Sequence, residues 1–337
     1  MKAKKFVFKK HFEGVPKKTD FELVEQDLPP VKDREVLFEA LFISVDPYMR
    51  AISPKLPTGI TMIGTQVAKV LESKHPDYKK GDLVLGPFGW VTHTVQNPDE
   101  VLSPFGEKTK PYVLPDLGGF SPSTALGVLG MPGNTAWFGL TELCKPKSGE
   151  VLVVSGAAGA VGSLVGQIGK ILGLTVIGFA GSDEKCKMLV KELGFDYAFN
   201  YKTKPVPEAL QEAAPNGVDC YFDNVGGRMS NDVMNHMNMF GRVANCGSIS
   251  VYNSDPKDPP LAPVLQPTIV MKQLTLQGFI SSRWKDRWFE GIQKNLQFMK
   301  EGKLKFKETM VEGFENMFEA FTMLFTGENI GKTVVKV

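Results

Sequence analysis

Three glycines, at positions 156, 159 and 162, stand where VLVVSGAAGAVGSLVGQIGK passes from a short β-branched run into apolar positions at helical spacing. Glycine at such a junction lets the backbone turn sharply and approach a pyrophosphate with no Cβ in the way. The helix that follows then offers its first N–H groups to the anion. The strand before, the helix after and a second strand beyond (LTVIGFA) make this a βαβ unit, so the triplet predicts dinucleotide binding. Residues 151–169 are uncharged and about long enough to span a bilayer. Their five glycines, two serines and glutamine argue against a membrane helix, whereas strand, glycine turn and helix account for every residue.

The end of the second strand selects the dinucleotide. A carboxylate there suits the ribose hydroxyls of NAD, and a cation suits the 2′-phosphate of NADP. The sequence reads FAGSDEK, with Gly181 and Ser182 in place of the acid and Lys185 one turn on. This predicts NADP(H). Asp183 and Glu184 fall in the first helical turn, where they also serve the helix dipole. GENIGKT near the C-terminus resembles a phosphate-binding loop, but it has three residues between its glycines and no room for a following helix.

The chain has 337 residues, 39 basic and 37 acidic, for a net charge of +2, which gives no reason to expect nucleic acid or an anionic membrane as partner. Its length predicts two domains. Cys144, Cys186, Cys220 and Cys246 are dispersed, as are the four histidines, and none has metal-binding spacing. No metal is expected. Few cysteines and no apolar leader near MKAKKFVFKK predict a cytoplasmic protein.

The elements that would hold these residues change in rhythm along the chain. Up to about residue 120, EVLFEALFISVD, QVAKVLES and DLVLGPFGWVTHTV read as strands between Gly- and Pro-containing turns. Beyond Glu150, strands alternate with helices predicted at 161–172, 183–193, 206–214 and 229–239. RVANCG and VMKQLTLQGFI are further strands, and a helix carries Trp284, Trp288, Ile292 and Leu296. Ser182 is placed to cap the second of these helices and Gly194 to end it. The alternation predicts a doubly wound parallel sheet.

Seven ordered motifs resemble the zinc-independent medium-chain reductases: VDPYMR (45–50), GMPGNTAWFGL (130–140), AAGAVGSLVGQI (157–168), GSDEK (181–185), FDNVGG (222–227), CGSISVYN (246–253) and ENIGKT (328–333). The resemblance implies an α/β fold, a Rossmann doubly wound parallel sheet plus a GroES-like mostly β domain. It divides the chain into 1–122 with 304–337 (substrate domain) and 123–303 (NADP(H) domain). On matching positions, Gly159, Ala160, Val161 and Gly162 would cradle the pyrophosphate, and Lys185 and Tyr201 would hold the adenosine-phosphate end. The rest of the cofactor would be lined by Asn224, by Cys246, Gly247, Ser248, Ile249, Ser250, Val251 and Tyr252, by Phe279, Ile280, Ser281, Ser282, Arg283 and Trp284, and by Asn329. A homodimer is implied as well. Trp137 stands where the family commonly has tyrosine, and Ser281 and Ser282 replace bulkier residues.

With no Cys before Cys144 to supply zinc ligands, activating a simple carbonyl loses its usual means. Conjugate reduction asks for less: hydride goes to the β-carbon of an α,β-unsaturated ketone or aldehyde, and a hydrogen-bond donor steadies the enolate. Tyr252, just after the fifth strand of the sheet, is the candidate donor. Tyr48 and Arg50 are candidates for the substrate side, Arg50 facing a carboxylate or an internal acid. The substrates implied are 15-oxoprostaglandins and 2-alkenals, with oxidation of the leukotriene B4 12-hydroxyl left open. The alternative is an NADPH quinone oxidoreductase; a nucleotide-binding protein without turnover is a third reading.

Overall fold

In KAKKFVF, Phe6 and Phe8 are buried on one face with Ala3 buried on the other, and Lys2–Phe8 (β1) pairs antiparallel with Phe21–Asp27 (β2). The computed structural model describes residues 1–103, 106–255 and 257–337. The chain divides into two compact units, Met1–Leu126 with Thr309–Asn329 and Thr333–Val337, and Gly127–Glu308 with Ile330–Lys332.

In the first unit a seven-stranded sheet contains Val36–Ser44 (β3), Gln66–Ser73 (β4), Leu83–Gly86 (β5), His93–Gln96 (β6) and Tyr112–Val113 (β7), with a short helix, Tyr48–Ile52 (α1), after β3. Tail strands Glu308–Glu312 and Lys332–Lys336 complete it, the latter antiparallel to β3 through Val334↔Ser44. Its core is aromatic: Phe6, Phe8, Phe21 and Phe321 gather around Trp90, which stacks on Phe21 at 5.4 Å.

The second unit opens with Met131–Phe138 (α2) and then alternates. Its strands are Val151–Val154 (β8), Thr175–Ala180 (β9), Tyr197–Asn200 (β10), Val218–Asp223 (β11), Met237–Asn245 (β12) and Thr275–Gly278 (β13). Its helices are Gly162–Ile171 (α3), Asp183–Lys191 (α4), Val206–Ala213 (α5), Gly227–Asn235 (α6), Gln266–Lys272 (α7) and Trp288–Lys300 (α8). The strand order is β10-β9-β8-β11-β12-β13, all parallel. The order reverses between β8 and β11, and the crevice at that switch point is where such sheets bind ligands. Val153, Ile177, Phe179 and Tyr221 pack under Leu210, Val233 and Met234.

Several expected boundaries move. The run 82–95 is broken into β5 and β6, because Gly89 adopts φ +84° with the Met62 carbonyl where a Cβ would lie. The helix expected over 229–239 stops at Asn235, and Met237 already belongs to β12; methionine suits both periods, which hid the change. VMKQLTLQGFI is only half strand: α7 runs to Lys272, Gln273 turns left-handed at φ 50°, and β13 begins at Thr275. Trp284 lies in a 3-10 turn ahead of α8 rather than within it.

Candidate active site

The glycine loop follows β8, and its three glycines are needed for different reasons. Gly156 has φ +59°. At Gly162 a Cβ would lie 2.4 Å from the Gly156 carbonyl oxygen and 2.9 Å from Ala157 Cα, so α3 packs against the turn only without one. At Gly159 a Cβ would meet just the Gly156 oxygen, at 3.3 Å. The fold therefore requires Gly159 least, and a bare backbone there is what a close-lying anion requires. The Ser163 and Leu164 amides donate to Gly159 and Val161, whereas among the described residues those of Ala160, Val161 and Gly162 have no backbone acceptor, so these three could face a pyrophosphate. Gly331 also takes part: its amide donates to Ala158 oxygen at 2.8 Å, and it bridges Gly159.

Beyond β9, Ser182 caps α4 by accepting from the Lys185 amide at 3.3 Å, and Gly194 follows the helix at φ +74°. Above Gly181, the position of a missing Cβ lies 3.4 Å from the Tyr201 hydroxyl and 3.5 Å from Lys202 Cε. Lys185 is half-buried; burial, and then the charge of Lys202, hold its ammonium below the ordinary lysine range. Asp183 accepts from the Asn200 side-chain amide at 2.9 Å. Two neighbouring cations beside a glycine suit a phosphate dianion. Lys202 escaped the sequence reading. Its only signal was a second lysine just past the third strand, whose end lies beside that of the second.

At the ends of β11, β12 and β13 another set converges. Asn224 is clamped to Ser155: its backbone N–H donates to the Ser155 hydroxyl at 2.9 Å and its side-chain amide to the Ser155 carbonyl at 2.8 Å. The Cys246 and Gly247 amides donate to the Asp223 carbonyl, and Ile249 and Ser250 donate to Asn224 and Val225. This lays residues 246–252 across the loop after β11. Burial pushes the Cys246 thiol up to about 12, with the Asp223 charge adding to it. The Tyr252 hydroxyl accepts from the Ser248 amide at 3.2 Å. Burial, the largest influence, keeps this phenol protonated above the usual tyrosine range.

Phe279 donates its amide to Asn245 and sets its ring against Phe222 and Trp284. Trp284 stacks on Phe138 at 5.4 Å, and Arg283 lies over its ring. Ile280 and Ser282 are exposed, and Ser281 is half-buried.

Asn329, Tyr48 and Arg50 belong to the other unit. Asn329 is buried. Tyr48 bonds Thr65, and burial and the charge of Asp46 hold its hydroxyl well above the usual range. Arg50 is buried, donates to the Gly14 carbonyl at 3.1 Å and lies over Phe12; burial lowers its ordinary value. It is bound within its own unit. Among the described residues, no group of three His, Cys, Asp or Glu is placed to hold a metal ion.

A parallel sheet in this strand order, with a glycine loop at the switch point and a β unit ahead of it, defines a Rossmann dinucleotide-binding protein with an appended β domain. Comparisons with known proteins agree. Residues 4–103 match a family model described as the N-terminal domain of oxidoreductase, and residues 160–299 one described as zinc-binding dehydrogenase. Prostaglandin reductase 1 of Bos taurus is 50% identical, with 99% of each chain covered. NADPH-dependent curcumin reductase of Escherichia coli is 38% identical, covering 96% of this chain and 94% of that one. The crystal structure of CurA in complex with NADPH from Vibrio vulnificus superposes with a TM-score of 0.90 at 36% identity, over 99% of both chains. The chain belongs to the zinc-independent branch of the medium-chain dehydrogenase/reductase family, alongside prostaglandin reductase 1.

Proposed function

We propose that the protein is an NADPH-dependent reductase of the conjugated C=C bond of α,β-unsaturated ketones and aldehydes, with 15-oxoprostaglandins and 2-alkenals as its substrate type. The observation that carries this is Tyr252, a half-buried phenol beside the switch point whose oxygen accepts from the Ser248 amide and which burial keeps protonated. Similarity to prostaglandin reductase 1 along the whole chain supports the substrate class. Quinone oxidoreductases at 18–21% identity share the fold alone.

The residues present fit the cofactor. Gly159 leaves an open backbone for the pyrophosphate, and Gly181 leaves room beside Lys185, Tyr201 and Lys202 for a 2′-phosphate. Among the described residues no carboxylate pairs with Lys202. When bound, NADPH supplies the hydride. Asn224 and residues 246–252 fix the other end of the cofactor, together with 279–284. Tyr252 donates a hydrogen bond to the carbonyl oxygen of the enone and steadies the negative charge gathering there as the β-carbon is reduced. A donor of this kind contributes on the order of 3 kcal/mol. Tyr48 lines the substrate side in this reading.

The test follows NADPH absorbance with 15-oxo-prostaglandin E2, 4-hydroxynonenal and a quinone, with products identified by mass. Saturated carbonyl products are expected; turnover of the quinone alone would overturn the assignment.

The molecule is further read as a cytoplasmic homodimer. Edge strand β13 pairs only with β12 among the described residues, and Leu261, Val264, Val270 and Met271 are exposed nearby in sequence. Light scattering would report twice the chain mass. No described helix is long and apolar enough to cross a membrane, and the four cysteines are free; cell fractionation tests the location.

A further inference from the structure

One buried carboxylate has no part in the chemistry above, yet it touches every loop at the β11 end. Asp223, 3% exposed, closes β11. Its Oδ1 accepts from the Ser155 hydroxyl at 3.0 Å, the Tyr221 hydroxyl at 2.8 Å and the amides of Val225 and Gly226, each at 2.9 Å. Its Oδ2 accepts from the Ser230 hydroxyl at 2.7 Å. Among the described residues no lysine, arginine or histidine pairs with it, so neutral donors alone offset its burial.

Three of these donor residues, Ser155, Val225 and Gly226, belong to loops that build the nicotinamide end. Ser155 holds both the backbone and the side chain of Asn224. Val225 and Gly226 form the turn on which Ser250 rests, its hydroxyl donating to the Val225 carbonyl at 2.6 Å. Gly226, at φ +70°, lets Ser248 pack so closely that a Cβ would come within 3.0 Å of the serine Cβ. The same aspartate's backbone carbonyl receives the amides of Cys246 and Gly247. None of these contacts reaches Gly181, Lys185, Tyr201 or Lys202.

We propose that Asp223 is the positioning residue for the nicotinamide half of the cofactor: it sets Asn224 and the segment 246–252, and with it Tyr252, in register with the glycine loop, while the adenosine half is held independently. This rests on the cofactor reading given above. A role confined to stabilising the fold or starting α6 would weaken binding of any cofactor fragment alike; a positioning role splits them.

Calorimetric titration of the full-length protein with NADPH and with adenosine 2′,5′-bisphosphate, which carries only the adenosine-phosphate end, separates the two. For Asp223→Asn the Kd for NADPH is expected to rise about tenfold or more and that for the bisphosphate to stay within about twofold. Ser230→Ala and Tyr221→Phe each delete one donor and leave the backbone alone. They are expected to raise the NADPH Kd about threefold without moving the bisphosphate. If Asp223→Asn loses its near-ultraviolet circular dichroism, these two variants decide. Equal loss for both ligands, or unchanged NADPH affinity in the variants that fold, overturns the inference. Wild-type protein that binds neither ligand would instead remove the cofactor reading beneath it.

Discussion

The β9–β10 end and the β11–β12 end of the second unit's sheet are built on opposite principles. At the first, Tyr201 and Lys202 reach toward the space above Gly181, Lys185 lies near enough to feel the Lys202 charge, and in the proposed reading recognition rests on charge. At the second, Ser155, Asp223 and Asn224 interlock through short hydrogen bonds, two of them fully or almost fully buried, and what they hold in place is backbone. Charges near water are screened and replaceable one at a time. A buried polar network is satisfied as a whole or not at all. One end should therefore tune which dinucleotide binds, and the other how firmly its nicotinamide half is seated for reaction.

Substitutions sharpen that contrast. The largest effect is expected at Tyr252: Tyr252→Phe should lower kcat for an enone by about 10²-fold while NADPH affinity stays near wild type, read by steady-state kinetics and titration. Unchanged turnover would take the phenol out of the mechanism. Next comes the glycine loop, where Gly162→Ala should cost about 1–3 kcal/mol in denaturant unfolding through the clash with the Gly156 carbonyl. Gly159→Ala should unfold close to wild type and lose NADPH affinity instead. At the charged end, Lys185→Ala should raise the KM for NADPH about tenfold, and Lys202→Ala, more exposed, about threefold, each leaving NADH nearly unaffected. Equal effects on the two dinucleotides would remove the 2′-phosphate assignment.

The smallest expected effect is a flat one. Because burial raises the Tyr252 hydroxyl above the ordinary value of 10.0, the protonated, donating form persists past that pH. The kcat profile should then show no alkaline fall from this group below about pH 10. A fall centred near pH 9 would mean a phenol better solvated than its place after β12 allows.

Local features were legible in the sequence. The glycine triplet, the Ser182 cap, the Gly194 stop and the strand–helix alternation all act within a few residues, so their signals are contiguous. Other features depended on distant partners. Gly89 breaks the 82–95 run because the Met62 carbonyl crowds it. Met237 joins β12 although methionine also suits a helix face. Lys202 and Asp223 were missed for the same reason: one matters because β10 lies beside β9, the other because β8 lies beside β11. Arg50, left open between a ligand carboxylate and an internal acid, donates to the Gly14 carbonyl and lies over Phe12, contacts that no local pattern encodes.

The hydrogen bond from Gly331 to Ala158 joins residues that a ribosome makes at nearly opposite ends of the unit's synthesis. Gly331 sits at φ +64°, with Lys307 backbone where a Cβ would be, so no other residue slips easily into its place. The glycine loop receives this strap only once the chain has been made through residue 331. A change at Gly331 would thus be felt at a loop laid down long before it.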